Sequence, residues 1–282
     1  MTEINLQSPL PPAVLATDLD GTLIPLPEVE ENRRDLRELV RLLRTHRRLL
    51  VFATGRSVLS MEEAIATHGL PHPDWAVCDV GTTIHRFVGR GEDAAERYER
   101  HLEELSGGVD RAEVEEALAG MAGVQMQDPG AQRRFKVSYY CEAERVGTVE
   151  REAAERCAAR DLPYEALTSV DPFSGVGLLD FVPHGVSKAH ALVWLATHAD
   201  FHPGEVIYAG DSGNDLAALI AGFRAIVVGN AREELRAEVQ RDLVEKGRGE
   251  RFFGSRGLAT SGVLEGCRHY GLFPDGSGAE HE

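Results

Sequence analysis

Short apolar runs alternate with helical patterns near both ends of the chain. The runs that indicate buried strands cover residues 13–18, 49–53, 75–80, 206–209 and 225–228. Apolar residues at helical spacing predict helices over 32–47, 57–68 and 187–199, with a further helix from Asn214. Because strands that alternate with helices are joined by right-handed crossovers, this pattern favours a doubly wound parallel sheet. The two ends together therefore predict an α/β, Rossmann-like core.

The middle of the chain has a different pattern. Helices are expected over 92–104, 111–119 and about 145–160, the first two exposed, and strands over 134–141, 164–169 and 177–182. Apolar and polar residues alternate along 134–141, as they do in a half-buried strand. We therefore expect an inserted α+β domain whose sheet has one covered face.

The bulk composition limits the classes of partner. The chain has 282 residues, enough for two domains, and its 43% hydrophobic and 27% charged residues are typical of a soluble globular protein. A net charge of -16 disfavours nucleic acid and anionic membranes as partners. We therefore expect a small-molecule substrate and a monomer or weak dimer.

The cysteines and the chain ends bear on the compartment. The 4 cysteines form no C-x-x-C pair and are predicted to be free thiols of a cytoplasmic protein. The first residues lack a signal-peptide pattern, and no apolar run reaches the roughly 18 residues of a membrane span. Residues 1–11 and 274–282 are expected to be flexible tails.

Two carboxylates follow the first predicted strand. Asp18 and Asp20 are two residues apart, so an extended chain would point both to one side, and Gly21 permits a turn after them. Open α/β sheets bind ligands at this edge. One carboxylate can attack phosphorus to give an acyl phosphate, and the other can move the proton of the leaving oxygen. The simpler alternative is an ordinary aspartate-rich turn.

A second motif, Thr54-Gly55-Arg56, ends the second strand and opens a helix. Its hydroxyl group and backbone N–H groups suit a bound phosphate. The alternative is a plain helix start, with Ser57 as the N-cap.

Acidic residues recur after a later strand, in the loop that carries Asp211, Asn214 and Asp215. Such side chains can complete an oxygen shell for Mg²⁺. Lys188 lies in the sequence between the Thr54 motif and the loop that carries Asp211, at the start of a predicted helix. An ammonium group there can balance the charge of a transferred phosphoryl group. Only three residues of the chain are lysines, namely Lys136, Lys188 and Lys246, which favours a specific role for those that remain.

These four pieces, in this order, resemble the haloacid dehalogenase superfamily of phosphatases. The resemblance implies that Asp18 is the nucleophile and Asp20 the general acid/base, and that Thr54 and Lys188 contact phosphate. It also implies that Asp18, the Asp20 backbone carbonyl group and Asp211 hold Mg²⁺, with support from Asn214 and Asp215. The inserted domain would be a cap over residues 88–183, between core segments 12–87 and 184–273.

A closer likeness is to the sucrose-phosphate phosphatase group. The stretches that carry it are DVGTTIH at 79–85, FKVSYY at 135–140, LLDFVPHGVSK at 178–188, GDSGNDL at 210–216, VVGNAREEL at 227–235 and ATSGVLEGCRHYGLF at 259–273. The likeness implies that Gly55, Arg56, Gly81 and Thr82 help to bind substrate. The group usually has acids at the positions of Thr83 and Leu178, and glycine at that of Ala189.

The alternation along 134–141 predicts two faces. The side chains expected to face the cap's own core are those of Phe135, Val137 and Tyr139. Lys136, Ser138 and Tyr140 would then share the opposite face. The resembling phosphatases have this lysine on the cap surface that closes over the active site, so we expect Lys136 and Ser138 to bind the sugar. A solvated strand face is the alternative.

The sequence thus predicts a Mg²⁺-dependent phosphatase of a sucrose 6-phosphate-like disaccharide phosphate, acting through an aspartyl-phosphate. Another glycosyl phosphate, such as mannosylfructose phosphate or glucosylglycerol phosphate, is the alternative substrate. A phosphohexomutase and a non-catalytic sugar-phosphate sensor are further alternatives.

Overall fold

A computed structural model describes residues 10–88, 93–170, 174–199 and 201–274. The strands in these residues are β1 (Val14–Thr17), β2 (Leu49–Ala53), β3 (Trp75–Cys78), β4 (Thr83–Arg86), β5 (Val124–Met126), β6 (Val137–Cys141), β7 (Tyr164–Val170), β8 (Gly177–Pro183), β9 (Val206–Gly210), β10 (Arg224–Val227) and β11 (Phe252–Gly254). The helices are α1 (Glu30–Thr45), α2 (Val58–His68), α3 (Asp93–Leu105), α4 (Arg111–Leu118), α5 (Val146–Ala158), α6 (Lys188–His198), α7 (Leu216–Leu219), α8 (Glu233–Glu245) and α9 (Ala259–His269).

Seven of these strands form the core sheet, in the order β11-β10-β9-β1-β2-β3-β4. All of its pairs are parallel except the last, in which β4 runs antiparallel to β3 along the edge. Alternate residues of β1 enter opposite apolar layers: Leu15 packs with α1, α2 and α9, whereas Ala16 packs on the side of α3, α6 and α8. Helices therefore cover both faces, and the predicted doubly wound α/β core is confirmed.

The other four strands form the inserted sheet, antiparallel and in the order β5-β6-β8-β7. Helices α4 and α5 cover one of its faces, where Val149 and Ala153 pack against Val137, Tyr139 and Leu179. The predicted inserted α+β sheet is thus present, with helices on one face. Its boundaries as a domain, 88–183, stay a prediction.

Several elements were not predicted. They are β4, β5, β11, α8 and α9. Helices α3 and α4 were expected to be exposed, but each has one buried face. Tyr98 and Leu102 of α3 are buried in an apolar layer of the core sheet, and Val114 and Leu118 of α4 are buried in the apolar layer of the inserted sheet. The helix expected from Asn214 is a 3₁₀ turn over Gly213–Asp215 followed by the short α7.

The expectation for Phe135 was wrong. Phe135 precedes β6 and packs with Tyr98 and Trp194 in the core layer, because strand alternation begins only at Val137. Val137 and Tyr139 do face the cap's own core, as expected.

Most of the predicted tails, 1–9 and 275–282, lie outside the described residues. Leu10, at the end of the first tail, accepts a hydrogen bond from Arg224 at 2.7 Å. No helix in the described ranges is both long and apolar enough to cross a bilayer. The four cysteines are unpaired and buried.

Candidate active site

Four neighbouring strands of the core sheet end beside one another and are each followed by a polar residue. Asp211, Asp18, Thr54 and Asp79 follow β9, β1, β2 and β3 respectively. Because these strands are parallel, their carboxyl ends share one edge of the sheet. The topology therefore collects the sequence-predicted site residues Asp18, Thr54 and Asp211 at that edge.

Asp18 is buried and faces the ammonium group of Lys188, with 2.7 Å between Lys188 Nζ and Asp18 Oδ1. Strand β1 ends at Thr17, so the expected alternation does not govern Asp18 and Asp20. The two carboxylates instead contact different cations. Asp20 pairs with Arg56, through distances of 2.7 Å to Nε and 2.6 Å to Nη2.

Lys188 begins α6 and is itself buried. Its Nζ also donates to Asn214 Oδ1 at 3.0 Å and to Asp215 Oδ1 at 2.8 Å. Burial lowers the pKa of Lys188, but the carboxylates of Asp18 and Asp215 raise it by a larger amount. The pKa of Lys188 therefore lies above its ordinary value. Lys188 therefore stays protonated at neutral pH and keeps its positive charge beside Asp18.

Asp215 has both carboxylate oxygens occupied. Oδ1 accepts from Lys188 and, at 2.7 Å, from the Tyr208 hydroxyl group, whereas Oδ2 accepts from the backbone N–H groups of Asp211 and Ser212 at 3.2 Å. The contribution of Asp215 is therefore to hold Lys188 and to shape the loop that presents Asp211.

Asp211 reaches across to the turn that follows Asp18. Its Oδ1 accepts from the Thr22 hydroxyl group at 2.7 Å. Gly21 has φ +76°, and a Cβ atom there would lie 2.4 Å from Asp211 Oδ2. Glycine is therefore required at position 21 on two counts, by the backbone conformation and by the space that Asp211 occupies.

The donor set fits a divalent cation. Ligand oxygens of Asp18, Asp211 and Asp215 lie within 4.8 Å of one another. When ionised, these three carboxylates carry three negative charges. Lys188 balances one of them, which leaves two. Burial, followed by the charge of Asp215, raises the pKa of Asp211 to about 7, as expected where negative charge is confined without enough cations. Hard oxygen ligands of this kind suit Mg²⁺.

The Thr54 motif closes the other side of the site. Thr54 is buried, and its Oγ1 accepts from the backbone N–H of Arg56 at 3.1 Å. Ser57 is the N-cap of α2 and accepts from Ser60 N–H at 3.2 Å. Gly55 has room for the turn, since a Cβ atom there would approach Val80 no closer than 3.5 Å. Arg56 pairs with Asp20 in this structure, and its predicted contact with substrate stays a prediction.

Gly81 and Thr82 belong to the segment after β3. Gly81 has φ +105°, and a Cβ atom there would lie 2.3 Å from the backbone carbonyl group of Ser187. The Thr82 hydroxyl group donates to the Asp79 carbonyl at 2.9 Å. Gly81 thus lets the β3 end approach the start of α6, and Thr82 closes the turn after β3. The predicted substrate contacts of both residues stay a prediction.

Ser138 lies on the face of the inserted sheet opposite its own core, as expected, whereas Lys136 stands one residue before β6; both side chains are buried. Lys136 is 4% exposed, which excludes the solvated face for this side chain. Its Nζ lies 3.6 Å from Asp79 Oδ1 and 3.5 Å from Asp180 Oδ1. The Ser138 hydroxyl group donates to Asp180 Oδ1 at 2.5 Å. The Lys136–Asp79 contact joins the segment before β6 to the end of β3, whereas the Ser138–Asp180 hydrogen bond lies within the inserted sheet.

Sequence reasoning missed the partners in this junction. Asp79 follows β3 as Asp18 follows β1, so the rule of strand ends could have found it. Asp79 also accepts from Arg133 Nε at 3.0 Å, and no signal in the sequence singled out Arg133. Asp180 faces Ser138 in the register of β6 and β8, which becomes visible only once the strands are paired.

The sequence matches the model of a known family, described as sucrose-6F-phosphate phosphohydrolase, over residues 11–271. The chain belongs to this family. It is a phosphoric monoester hydrolase of the haloacid dehalogenase type, which confirms the resemblance seen in its motifs.

Individual relatives agree with this membership. A haloacid dehalogenase-like hydrolase of Nitrosococcus oceani is 33% identical over 93% of this chain and 72% of its own length. The mannosylfructose-phosphate phosphatase of Agrobacterium fabrum is 31% identical over 94% of this chain and 99% of its own length. A sucrose-phosphatase of Synechocystis sp., solved with sucrose and phosphate, shares the fold with a TM-score of 0.74 and 24% identity, covering 93% of this chain and 98% of that one.

Proposed function

We propose that the protein is a Mg²⁺-dependent phosphatase of a disaccharide phosphate and that Asp18 forms an aspartyl-phosphate. The observation that carries this proposal is the contact between the buried Asp18 carboxylate and Lys188, beside Asp211 and at the carboxyl edge of the core sheet. A nucleophile held by a permanent cation, with acidic metal ligands next to it, suits attack on a phosphate dianion.

In the first step an oxygen of Asp18 forms a bond to phosphorus, and the bond from phosphorus to the sugar oxygen breaks. Asp20 gives its proton to that oxygen, so that the sugar leaves as an alcohol. In the second step Asp20 takes a proton from water, whose oxygen attacks phosphorus. Inorganic phosphate leaves and the Asp18 carboxylate is regenerated.

The remaining site residues hold the phosphoryl group during both steps. Lys188 offsets its charge next to Asp18, and Thr54 offers its hydroxyl group from the other side. Asn214 and Asp215 orient Lys188. Asp18, the Asp20 carbonyl group and Asp211 would hold Mg²⁺, which when bound supplies charge neutralisation and a fixed orientation for the phosphate.

Two substrates deserve direct comparison. Sucrose 6-phosphate comes first, because the matching family is described by it. Mannosylfructose phosphate comes second, because a phosphatase named for it is 31% identical over 99% of its length. Lys136 and Ser138 would meet the sugar when the inserted sheet moves relative to the core, since Lys136 contacts Asp79 at the end of β3 and shares Asp180 with Ser138.

A phosphate-release panel tests this function. The purified protein is assayed with Mg²⁺ on sucrose 6-phosphate, mannosylfructose phosphate, glucosylglycerol phosphate, fructose 6-phosphate and an aryl phosphate. We expect one of the first two to have the highest kcat/KM. Movement of phosphate from one hydroxyl group of a sugar to another without release would indicate a mutase, and binding without any release would indicate a sensor; either result overturns the proposal.

A further inference from the structure

The Asp20 carboxylate is held by a two-pronged contact from Arg56. Nε and Nη2 of Arg56 donate to the two oxygens of Asp20 at 2.7 and 2.6 Å. The planar guanidinium group matches a carboxylate in this geometry, which fixes orientation as well as distance. Both side chains are only about a quarter exposed, at 29% and 26%. The pair is therefore part of the site and is sheltered from bulk solvent.

Arg56 is itself fixed from several directions. Its Nη1 donates to the Ser60 hydroxyl group at 3.0 Å. Its backbone N–H donates to Thr54 Oγ1, and its carbonyl oxygen accepts from the Asp79 N–H at 2.9 Å. The guanidinium group is thus aimed at Asp20 by the start of α2 and by the end of β3.

We infer that Arg56 is a positioning residue for Asp20 and is not primarily a phosphate ligand. This inference rests on the proposed function, in which Asp20 moves the proton of the leaving group. Each carboxylate oxygen keeps a second lone pair after accepting one hydrogen bond, so the contact orients Asp20 without removing its capacity to take a proton. The Nε and Nη2 edge, which presents two parallel N–H groups to an anion, is occupied by Asp20 in this structure.

The two roles give different results in a double-mutant cycle. A residue that acts through Asp20 has nothing to position once Asp20 is replaced, whereas a phosphate ligand contributes with or without Asp20. The variants are Arg56→Ala, Asp20→Asn and both together, each assayed on the best sugar phosphate of the panel and on an aryl phosphate. Inhibition by inorganic phosphate reports phosphate binding separately.

We expect Arg56→Ala to lower kcat on the sugar phosphate by about 10–100-fold, part of the roughly 10²–10⁴-fold worth of a general acid/base. In the Asp20→Asn background, Arg56→Ala should lower kcat by no more than about threefold. Arg56→Ala should also leave the inhibition constant of inorganic phosphate unchanged. The loss should be smaller on the aryl phosphate, whose leaving group needs little protonation.

Matched variants guard this experiment. Arg41→Ala removes a similar two-pronged contact, to Glu38 on the exposed side of α1, and should leave activity unchanged. Arg56→Lys keeps the charge but loses the second prong, so it should show a smaller loss of the same kind even if Arg56→Ala folds poorly.

The adverse outcomes separate failure of the positioning role of Arg56 from failure of the proposed function of Asp20. Equal losses from Arg56→Ala in both backgrounds, no loss at all, or phosphate inhibition weakened tenfold or more would overturn the positioning role. If Asp20→Asn alone keeps full activity on the sugar phosphate, the proposed function of Asp20 fails before Arg56 is considered.

Discussion

Asp211 is a proposed metal ligand, and its carboxyl group has a raised pKa. Burial and the nearby Asp215 raise its pKa to about 7 in the metal-free protein, against 3.8 for an ordinary aspartate. The folded protein therefore holds this proton over a range in which the unfolded chain has lost it. The stabilising contribution is complete below the unfolded value and is lost as pH rises through about 7.

We therefore expect metal-free wild-type protein to lose stability relative to Asp211→Asn as pH rises from about 4 to about 7, with no further change above. The measurement is the melting temperature of both proteins across this window after removal of metal. The apparent affinity for Mg²⁺ should rise over the upper part of the window, because the cation must displace the proton. A difference in melting temperature that does not vary with pH would contradict this account.

Gly81 shows how one residue can join two elements. Its φ of +105° and its close approach to the Ser187 carbonyl group let the end of β3 contact the start of α6. Helix α6 begins at Lys188. Gly81→Ala should therefore displace Lys188 and lower both stability and activity, with the backbone strain alone costing about 1–3 kcal/mol.

Gly108 provides the control for this substitution. It has φ +78°, but a Cβ atom there would have no neighbour within 4 Å. Gly108→Ala should show the strain without the collision and should leave activity intact. Urea denaturation and kcat on the sugar phosphate separate the two effects, and equal results for the two alanines would mean that the contact with α6 is unimportant.

At the scale of elements, β6 is tied to the end of β3 by a buried ammonium group. Lys136 lies between Asp79 and Asp180, and these side chains are only 5%, 2% and 12% exposed. Replacing it leaves two buried carboxylates without this cation. We expect Lys136→Met to cost about 3–5 kcal/mol of unfolding free energy, as for other broken buried pairs.

Lys246→Met is the matched control, because Lys246 pairs with Asp242 at 2.8 Å while about half exposed, at 47%. Such pairs contribute about 0–1 kcal/mol. If both variants lose the same stability in urea denaturation, the Lys136 junction does not hold the inserted sheet to the core. If Lys136 also binds the sugar, Lys136→Met raises KM for the sugar phosphate more than for an aryl phosphate.

The elements predicted from sequence are those whose pattern is local. Strand β1 is buried throughout and mostly apolar, and helix α1 is strongly amphipathic. The acids at the strand ends were predicted from the same pattern. Helix α9 escaped prediction because it contains Gly262 and Gly266, which are weak helix formers. Its contacts require them, since a Cβ atom at Gly266 would lie 2.4 Å from Ile226.

The site was likewise predictable only in part. Asp18, Lys188 and Asp211 were found because each follows or precedes a recognisable element at the edge of the sheet. The pairing of Arg56 with Asp20, and of Lys136 with Asp79, depends on how segments far apart in sequence come together. Residue types alone left Arg56 equally suited to phosphate and to a carboxylate.

At the scale of the whole molecule, a chain of net charge -16 must attract a phosphate dianion. Lys188 alone leaves the acidic cluster negative, so activity should require a bound cation. Chelation should abolish phosphate release and Mg²⁺ should restore it, whereas Ca²⁺ should not, because a larger ion with flexible coordination would misplace Asp18. Full activity in excess chelator after thorough dialysis would be incompatible with this requirement.

In the proposed mechanism the phosphoryl group passes through Asp18. The direct measurement is an acid quench of the protein during turnover of a substrate whose phosphate is radiolabelled. The label on the quenched protein is counted in one portion, and a second portion is reduced with borohydride, which converts an aspartyl-phosphate to homoserine. We predict an acid-stable, hydroxylamine-sensitive label and homoserine at position 18, with neither in a folded Asp18→Asn protein, which should also lack turnover. Turnover without a trapped label, a label on another residue, or substantial activity in Asp18→Asn would contradict the account.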